Sequence, residues 1–206
     1  MRKWIGILLL IAGVIFISVA GYNLWLHDNG QDYAIHKAEA IVKDTKNQQD
    51  RHSRKFQMRE KFDPAKGESI GILKIPKLDI KLPIIEGTDP EQLVKGVGHY
   101  RATAFPGGDN QILLSGHRDT VFRRLGELQS GDKIIVQLPY GTFRYVMKDS
   151  EVVSADDTTV IRSTAPKEVL TLSTCYPFNY IGNAPKRYVI NAHPEGKLKI
   201  NKVVLK

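Results

Sequence analysis

An uncharged N-terminal segment constrains this chain more than any other feature of its sequence. The segment covers residues 4–26, 23 in all, and most of its side chains are apolar. A helix of this length spans roughly 34 Å, which is enough to cross a hydrocarbon core of about 30 Å. The pattern therefore predicts an N-terminal transmembrane helix, and a buried core helix is disfavoured at this length.

The charges around this segment predict its orientation. Arg2 and Lys3 precede it, and no further Lys or Arg follows until Lys37. The positive-inside rule then places the N-terminus in the cytoplasm and the remaining chain outside. A cleaved signal peptide is the alternative, since Ser18-Val19-Ala20 resembles a cleavage site, but the run is longer than a signal core. We expect an uncleaved anchor over 1–27 in a single-pass cell-membrane protein.

Two further regions follow the predicted anchor. Residues 28–67 are polar, with a predicted helix over 34–59 whose apolar stripe is too thin for a core, and we interpret them as an extracellular stalk. From residue 68 to 206 short apolar runs recur every 8–12 residues, which favours a mainly β domain, a barrel or a sandwich. The predicted strands are 70–75, 80–85, 111–115, 133–138, 142–148, 169–174, 187–191 and 198–205.

Charge and cysteine content narrow the function. The net charge of +8 favours anionic surroundings such as wall polymers or lipid headgroups. No nucleic-acid-binding motif is present, and the predicted topology puts the basic domain outside the cell, so we expect no nucleic-acid partner. The single cysteine, Cys175, excludes an intrachain disulfide and a cysteine-cluster zinc site.

Cys175 is a candidate nucleophile because it ends the apolar strand over 169–174 and outside the membrane an unpaired thiol risks oxidation. The competing interpretation is a small buried hydrophobic residue. A cysteine nucleophile needs a base, and the six histidines are His27, His36, His52, His99, His117 and His193. His117 also ends a strand and is the preferred partner, whereas His99 lies in a Gly-rich connection and is the alternative.

Acyl transfer also requires a group that stabilises a developing oxyanion. Arg187 follows Cys175 by twelve residues and opens an apolar strand. The alternative is an ordinary solvent-facing charge at a strand start.

These residues lie in motifs that resemble the sortase family, the membrane-anchored transpeptidases of Gram-positive bacteria. The matching segments are Thr171-Leu172-Ser173-Thr174-Cys175, Leu114-Ser115-Gly116-His117-Arg118-Asp119, Arg187, and the opening strand Gly71-Ile72-Leu73-Lys74-Ile75-Pro76. The resemblance covers about 68–206, and the Cys-Tyr-Pro continuation is most similar to class D.

The resemblance implies a closed eight-stranded β-barrel and a reaction. Cys175 would attack the Thr carbonyl of an LPxTG-like signal on a surface protein, and a peptidoglycan amine would resolve the thioacyl enzyme. It implies that His117 protonates the leaving amine, that Arg187 stabilises the oxyanion, and that Thr174 contacts substrate. A cysteine hydrolase on the same scaffold and a non-catalytic wall-binding module remain alternatives.

The resemblance also bears on cofactors and on neighbouring classes. Calcium-binding sortases carry several acidic residues before the histidine strand, whereas Asp109 is the only acidic residue in 100–110. No metal or other cofactor is therefore predicted. Pilus-building sortases carry an Asp-Pro-aromatic lid, but Ala65 follows Asp63-Pro64, which disfavours a lid and pilin polymerisation. We expect groove residues within 99–110 and 176–186.

Overall fold

The described residues form a closed eight-stranded β-barrel. The structure is a computed structural model, and it describes residues 13–19, 30–42, 59–179 and 182–196. The strands are β1 (Ser69–Ile75), β2 (Ile80–Glu86), β3 (Val97–His99), β4 (Gln111–Ser115), β5 (Lys133–Leu138), β6 (Gly141–Ser154), β7 (Val169–Tyr176) and β8 (Lys186–Pro194). Around the barrel they follow the order β1-β2-β3-β4-β7-β8-β6-β5. The predicted mainly β barrel is confirmed.

Strand β3 is the element that sequence patterning missed. It contains only three residues, one of them glycine, and the sequence predicts a Gly-rich connection at this position. It pairs parallel with β2 and antiparallel with β4, so this short strand connects β2 to β4 in the barrel wall. The predicted strand over 198–205 lies outside the described residues, and β6 runs on to Ser154, beyond its predicted end.

Short helices occupy three of the connections. A one-turn α-helix spans Pro90–Leu93, with proline in its first turn as expected. Turns of 3-10 helix span Pro76–Leu78 and Leu125–Glu127.

The barrel interior is an apolar core, because alternate residues of each strand point inwards. Leu73, Ile84, Leu114, Leu172 and Ile190 are members of this core and are almost fully buried.

A polar contact is enclosed beside the core. The Tyr145 hydroxyl donates to Glu168 Oε1 at 2.7 Å, and Glu168 Oε2 accepts the Gly107 N–H at 2.6 Å. Strand β6, the start of β7 and the connection before β4 are thereby joined.

The helix over 30–42 lies against the barrel, within the region 28–67 that the sequence predicted as an extracellular stalk. Its Ala34 and Ala38 are 3% and 0% exposed, and Glu39 pairs with Lys81 of β2. Small side chains one turn apart allow close approach without a large apolar stripe, which explains why the hydrophobic pattern did not reveal the contact. Residues 43–58 of the predicted helix lie outside the described residues.

The predicted membrane segment is covered by the structure only in part. Residues 13–19 are helical and largely exposed, and the rest of 4–26 lies outside the described residues. Among the residues that the structure describes, no helix is both long and apolar enough to cross a membrane.

Candidate active site

The register of two parallel strands brings Cys175 and His117 to the same end of the barrel. Strands β4 and β7 are paired in parallel, and their last Cα partners are Ser115 and Ser173. His117 and Cys175 each lie two residues beyond that pair, on chains about 4.8 Å apart. The Gly116 N–H continues the contact by donating to the Ser173 carbonyl at 3.1 Å.

Alternation along β7 decides which of its side chains reach solvent. Leu170 and Leu172 belong to the core, and Thr174 is buried on the same side of the strand. Cys175 therefore lies on the outer face, where the residue is partly exposed. A sulfur sealed in apolar packing, the alternative interpretation of this cysteine, does not match its environment.

Thr174 connects the two strands that carry Cys175 and His117. Its hydroxyl donates to the Gly116 carbonyl at 2.7 Å, and the residue is only 3% exposed. The hydroxyl is thus engaged within the barrel wall and faces away from the outer surface. A substrate contact through Thr174 stays a prediction, whereas its link to the residue before His117 is a structural feature.

Arg187 lies on the other side of Cys175 from the histidine. It is the Cα partner of Cys175 in the antiparallel pair of β7 and β8. Its Nη1 donates to the carbonyls of Ala184 and Lys186 at 3.3 and 3.1 Å. A guanidinium has five N–H donors, so other donors remain for a substrate oxygen.

These three predicted residues line one cavity of about 290 Å³. The remaining lining residues are Arg118, Asp119, Gly182, Asn183 and Ala184. Residues 182–184 fall within the predicted groove region 176–186, whereas none of 99–110 lines this cavity.

The sequence analysis did not single out Arg118 and Asp119, which also line this cavity. Their position directly after His117 in the same motif was the available signal.

The opposite end of this outer face is covered by the connection between β6 and β7. Gln111 donates to the Val160 carbonyl at 2.7 Å and accepts the Arg162 N–H at 2.9 Å. Asn110 accepts the Thr164 N–H at 2.8 Å. The start of β4 thereby holds the 160–164 segment over one end of the face, and the face opens towards Cys175.

Comparison with known proteins agrees with this geometry. The Sortase domain family model matches residues 73–195, more than half of the chain. The chain is 43% identical over 196 residues to Sortase D of Bacillus subtilis, covering 92% of this chain and 97% of the relative. It is 30% identical to Sortase A of Staphylococcus aureus, covering 87% of this chain and 91% of that protein.

The chain belongs to the sortase family. Sortases are cysteine transpeptidases, so the protein is an enzyme of that kind. The predicted family resemblance is confirmed, and the similarity to Sortase D agrees with a class D character.

Solved structures of sortases share the fold. A Clostridium perfringens Sortase D5 transpeptidase superposes with a TM-score of 0.68 at 24% identity, covering 82% of this chain and 99% of that one. A pilus-related Sortase C of Group B Streptococcus gives a TM-score of 0.65 at 24% identity, covering 79% and 97%. At this identity the likeness concerns the barrel alone.

His99, the alternative histidine, has a different environment in this sortase. It is 1% exposed, and its Nδ1 lies 2.8 Å from Oε2 of the buried Glu86. Its Nε2 lies 3.1 Å from the Ala104 carbonyl, and its ring stacks on Phe105. One ring nitrogen thus contacts the end of β2 and the other contacts the turn after β3, and neither belongs to the cavity at Cys175.

The other histidines of the described region are also separate from the cavity. His36 lies on the helix over 30–42, and His193 lies on β8 and is exposed. His27 and His52 lie outside the described residues.

The part of the chain that the structure describes contains no group of three or more His, Cys, Asp or Glu side chains placed to hold a metal ion. Metal independence itself stays a prediction.

Proposed function

We propose that this sortase cleaves an LPxTG-like sorting signal after its threonine and transfers the released protein to a peptidoglycan amine. The single observation that carries the proposal is the cavity shared by Cys175, His117 and Arg187. A nucleophile, an acid–base group and a cation on one outer face form the set that acyl transfer needs.

In the first half-reaction the Cys175 thiolate attacks the threonine carbonyl carbon and forms a C–S bond. The carbonyl oxygen becomes an oxyanion, which a free N–H of the Arg187 guanidinium stabilises. The C–N bond then breaks, and His117 gives its proton to the leaving amine. The product is a thioacyl enzyme with a neutral imidazole at His117.

In the second half-reaction an amine attacks the thioester carbon. His117 now accepts the proton of the incoming amine, the C–S bond breaks, and the Cys175 thiolate is regenerated. The products are a new amide and an enzyme in its starting protonation state. Water can attack the same thioester, so the competition between amine and water separates a transpeptidase from the hydrolase alternative.

The same proposal includes a membrane location. The uncharged run over 4–26, preceded by Arg2 and Lys3, supports a single-pass anchor with a cytoplasmic N-terminus and an extracellular barrel. Surface proteins with C-terminal sorting signals and the peptidoglycan precursor would then meet the enzyme at the extracellular face of the cell membrane. Protease accessibility of the barrel in intact protoplasts tests this topology, and protection of the barrel would contradict it.

The decisive experiment measures the covalent intermediate and its products. The full-length protein is incubated with peptides of LPxTx type, and intact-mass spectrometry follows a thioacyl adduct on Cys175. Adding an amine should convert the product from acid to amide. The Cys175→Ala variant is the matched control and should give no adduct and no product. An unmodified parent enzyme, or full activity after stoichiometric alkylation of Cys175, would contradict the proposal.

A further inference from the structure

Residues 182–184 form one wall of the cavity at Cys175. This wall is held by Arg118, a side chain from the opposite side of the cavity that has no role in the chemistry proposed above. Arg118 Nη2 donates to the Gly182 carbonyl at 2.8 Å. Arg118 directly follows His117, whereas Gly182 lies in the connection between β7 and β8. The hydrogen bond therefore joins the histidine segment to the wall across from it.

The same wall has a second attachment, at its other end. Arg187 Nη1 donates to the Ala184 carbonyl at 3.3 Å. The segment 182–184 is thus held between two guanidinium groups, one from each side of the cavity. The arrangement fixes the position of a segment whose backbone carbonyls accept both hydrogen bonds and whose Gly182 and Asn183 are exposed.

The position of His117 indicates which side of Cys175 the leaving and incoming amines occupy. One imidazole must reach the leaving amine in the first half-reaction and the incoming amine in the second. Both amines therefore occupy the side of Cys175 where His117 lies. Arg118 lines the cavity next to His117, and its hydrogen bond reaches Gly182 on the wall across from the histidine.

We propose that Arg118 is a positioning residue for the amine-transfer half of the reaction. By holding the 182–184 segment against the histidine segment, it keeps the amine-side cavity in the shape that admits an acceptor amine and limits attack by water. This inference rests on the proposed function. It assigns a role to a residue that touches neither the thioester nor the proton in transit.

The test measures how the thioacyl enzyme partitions between amine and water. Full-length parent, Arg118→Ala and Arg118→Lys react with one LPxTx peptide, and the amide-to-acid product ratio is determined. The acceptors are hydroxylamine, which needs little shaping of the cavity, and whichever of triglycine and diaminopimelate the parent uses faster. Arg123→Ala is the matched control, because Arg123 is an arginine of the same connection that lines a different cavity.

For Arg118→Ala we expect the ratio with the larger amine to fall about tenfold, the effect of losing one charged hydrogen bond. The ratio with hydroxylamine should fall far less, and the single-turnover rate of thioacyl formation and the melting temperature should stay close to parent. Arg118→Lys should recover part of the loss, and Arg123→Ala should match the parent.

An unchanged ratio with the larger amine in Arg118→Ala, while the parent transfers normally, would overturn this inference and leave the proposed function intact. Equal losses of thioacyl formation and of both transfers would also overturn it, since they indicate a general structural role. A parent that forms no thioacyl adduct would instead overturn the proposed function.

Discussion

The hydrogen bond from Thr174 to the Gly116 carbonyl provides a direct test of how the barrel wall sets the distance between Cys175 and His117. Replacing Thr174 by valine keeps the shape and removes the donor. The 2.7 Å bond is lost in a residue that is 3% exposed, so the carbonyl oxygen faces a methyl group in a buried site. Loss of a partner for a buried polar group costs about 1–3 kcal/mol.

The stability part of this prediction can be measured by denaturation. For a domain of this size about 1 kcal/mol corresponds to a shift of roughly 4 °C in melting temperature, so Thr174→Val should melt several degrees lower. Thr174→Ser keeps the hydroxyl and loses one methyl group, which costs about 0.8 kcal/mol. The serine variant is therefore the matched control for packing.

The activity part follows from the position of the bond, one residue before both the nucleophile and the acid–base group. A displacement of about 1 Å between reacting groups can cost about 100-fold in rate. We expect kcat of Thr174→Val to fall at least about tenfold with little change in KM, and Thr174→Ser to stay close to parent. Parent-like kcat and melting temperature in Thr174→Val would refute the reasoning, as would equal losses in both variants.

Three other predictions concern the two candidate histidines, Tyr145 and Gly71. His117→Ala should abolish turnover without unfolding the protein. His99→Ala removes a buried partner of the Glu86 carboxylate and should lower the melting temperature. If activity assays and melting curves show the reverse, His99 and not His117 is the acid–base group. Burial raises the pKa of the Tyr145 phenol above its usual range, so the unfolded chain releases this proton first and stability falls as pH rises above about 10. Tyr145→Phe should lose about 1.5–3 kcal/mol at neutral pH and show a shallower alkaline decline in urea titrations, and an equally steep decline would contradict this. Gly71→Ala places a Cβ 2.2 Å from a β5 backbone oxygen and should lower the free energy of unfolding by about 3 kcal/mol. The control Gly30→Ala places its Cβ with nothing within 4 Å and should melt like the parent. Similar melting temperatures for the two variants would contradict the clash at Gly71.

The candidate site was predictable to the extent that its residues end strands with recognisable patterns. Cys175 and His117 both follow short apolar runs, and such runs predict strand ends without knowledge of pairing. The parallel alignment that puts these two ends side by side is a property of the sheet, and no local pattern encodes it. The position of Arg187 opposite Cys175 depends in the same way on the register of β7 and β8.

The surroundings of the site required the tertiary structure. The short strand β3 has too few residues to show alternation, and its place in the sheet depends on pairing with β2 and β4. The role of His99 likewise depends on a carboxylate thirteen residues away, at the end of another strand. The hydrogen bond of Arg118 crosses between connections 64 residues apart.

By itself the sequence determined the mainly β character, the uncharged N-terminal run, the single thiol and the motifs that identify the family. These are local properties, set by side-chain periodicity and residue type over a few neighbouring positions. Only the tertiary structure decided which histidine shares a cavity with Cys175, which threonine hydroxyl joins their strands, and how the helix over 30–42 contacts the barrel. Those outcomes depend on which distant backbone and side-chain groups become partners, and that pairing arises only when the barrel closes.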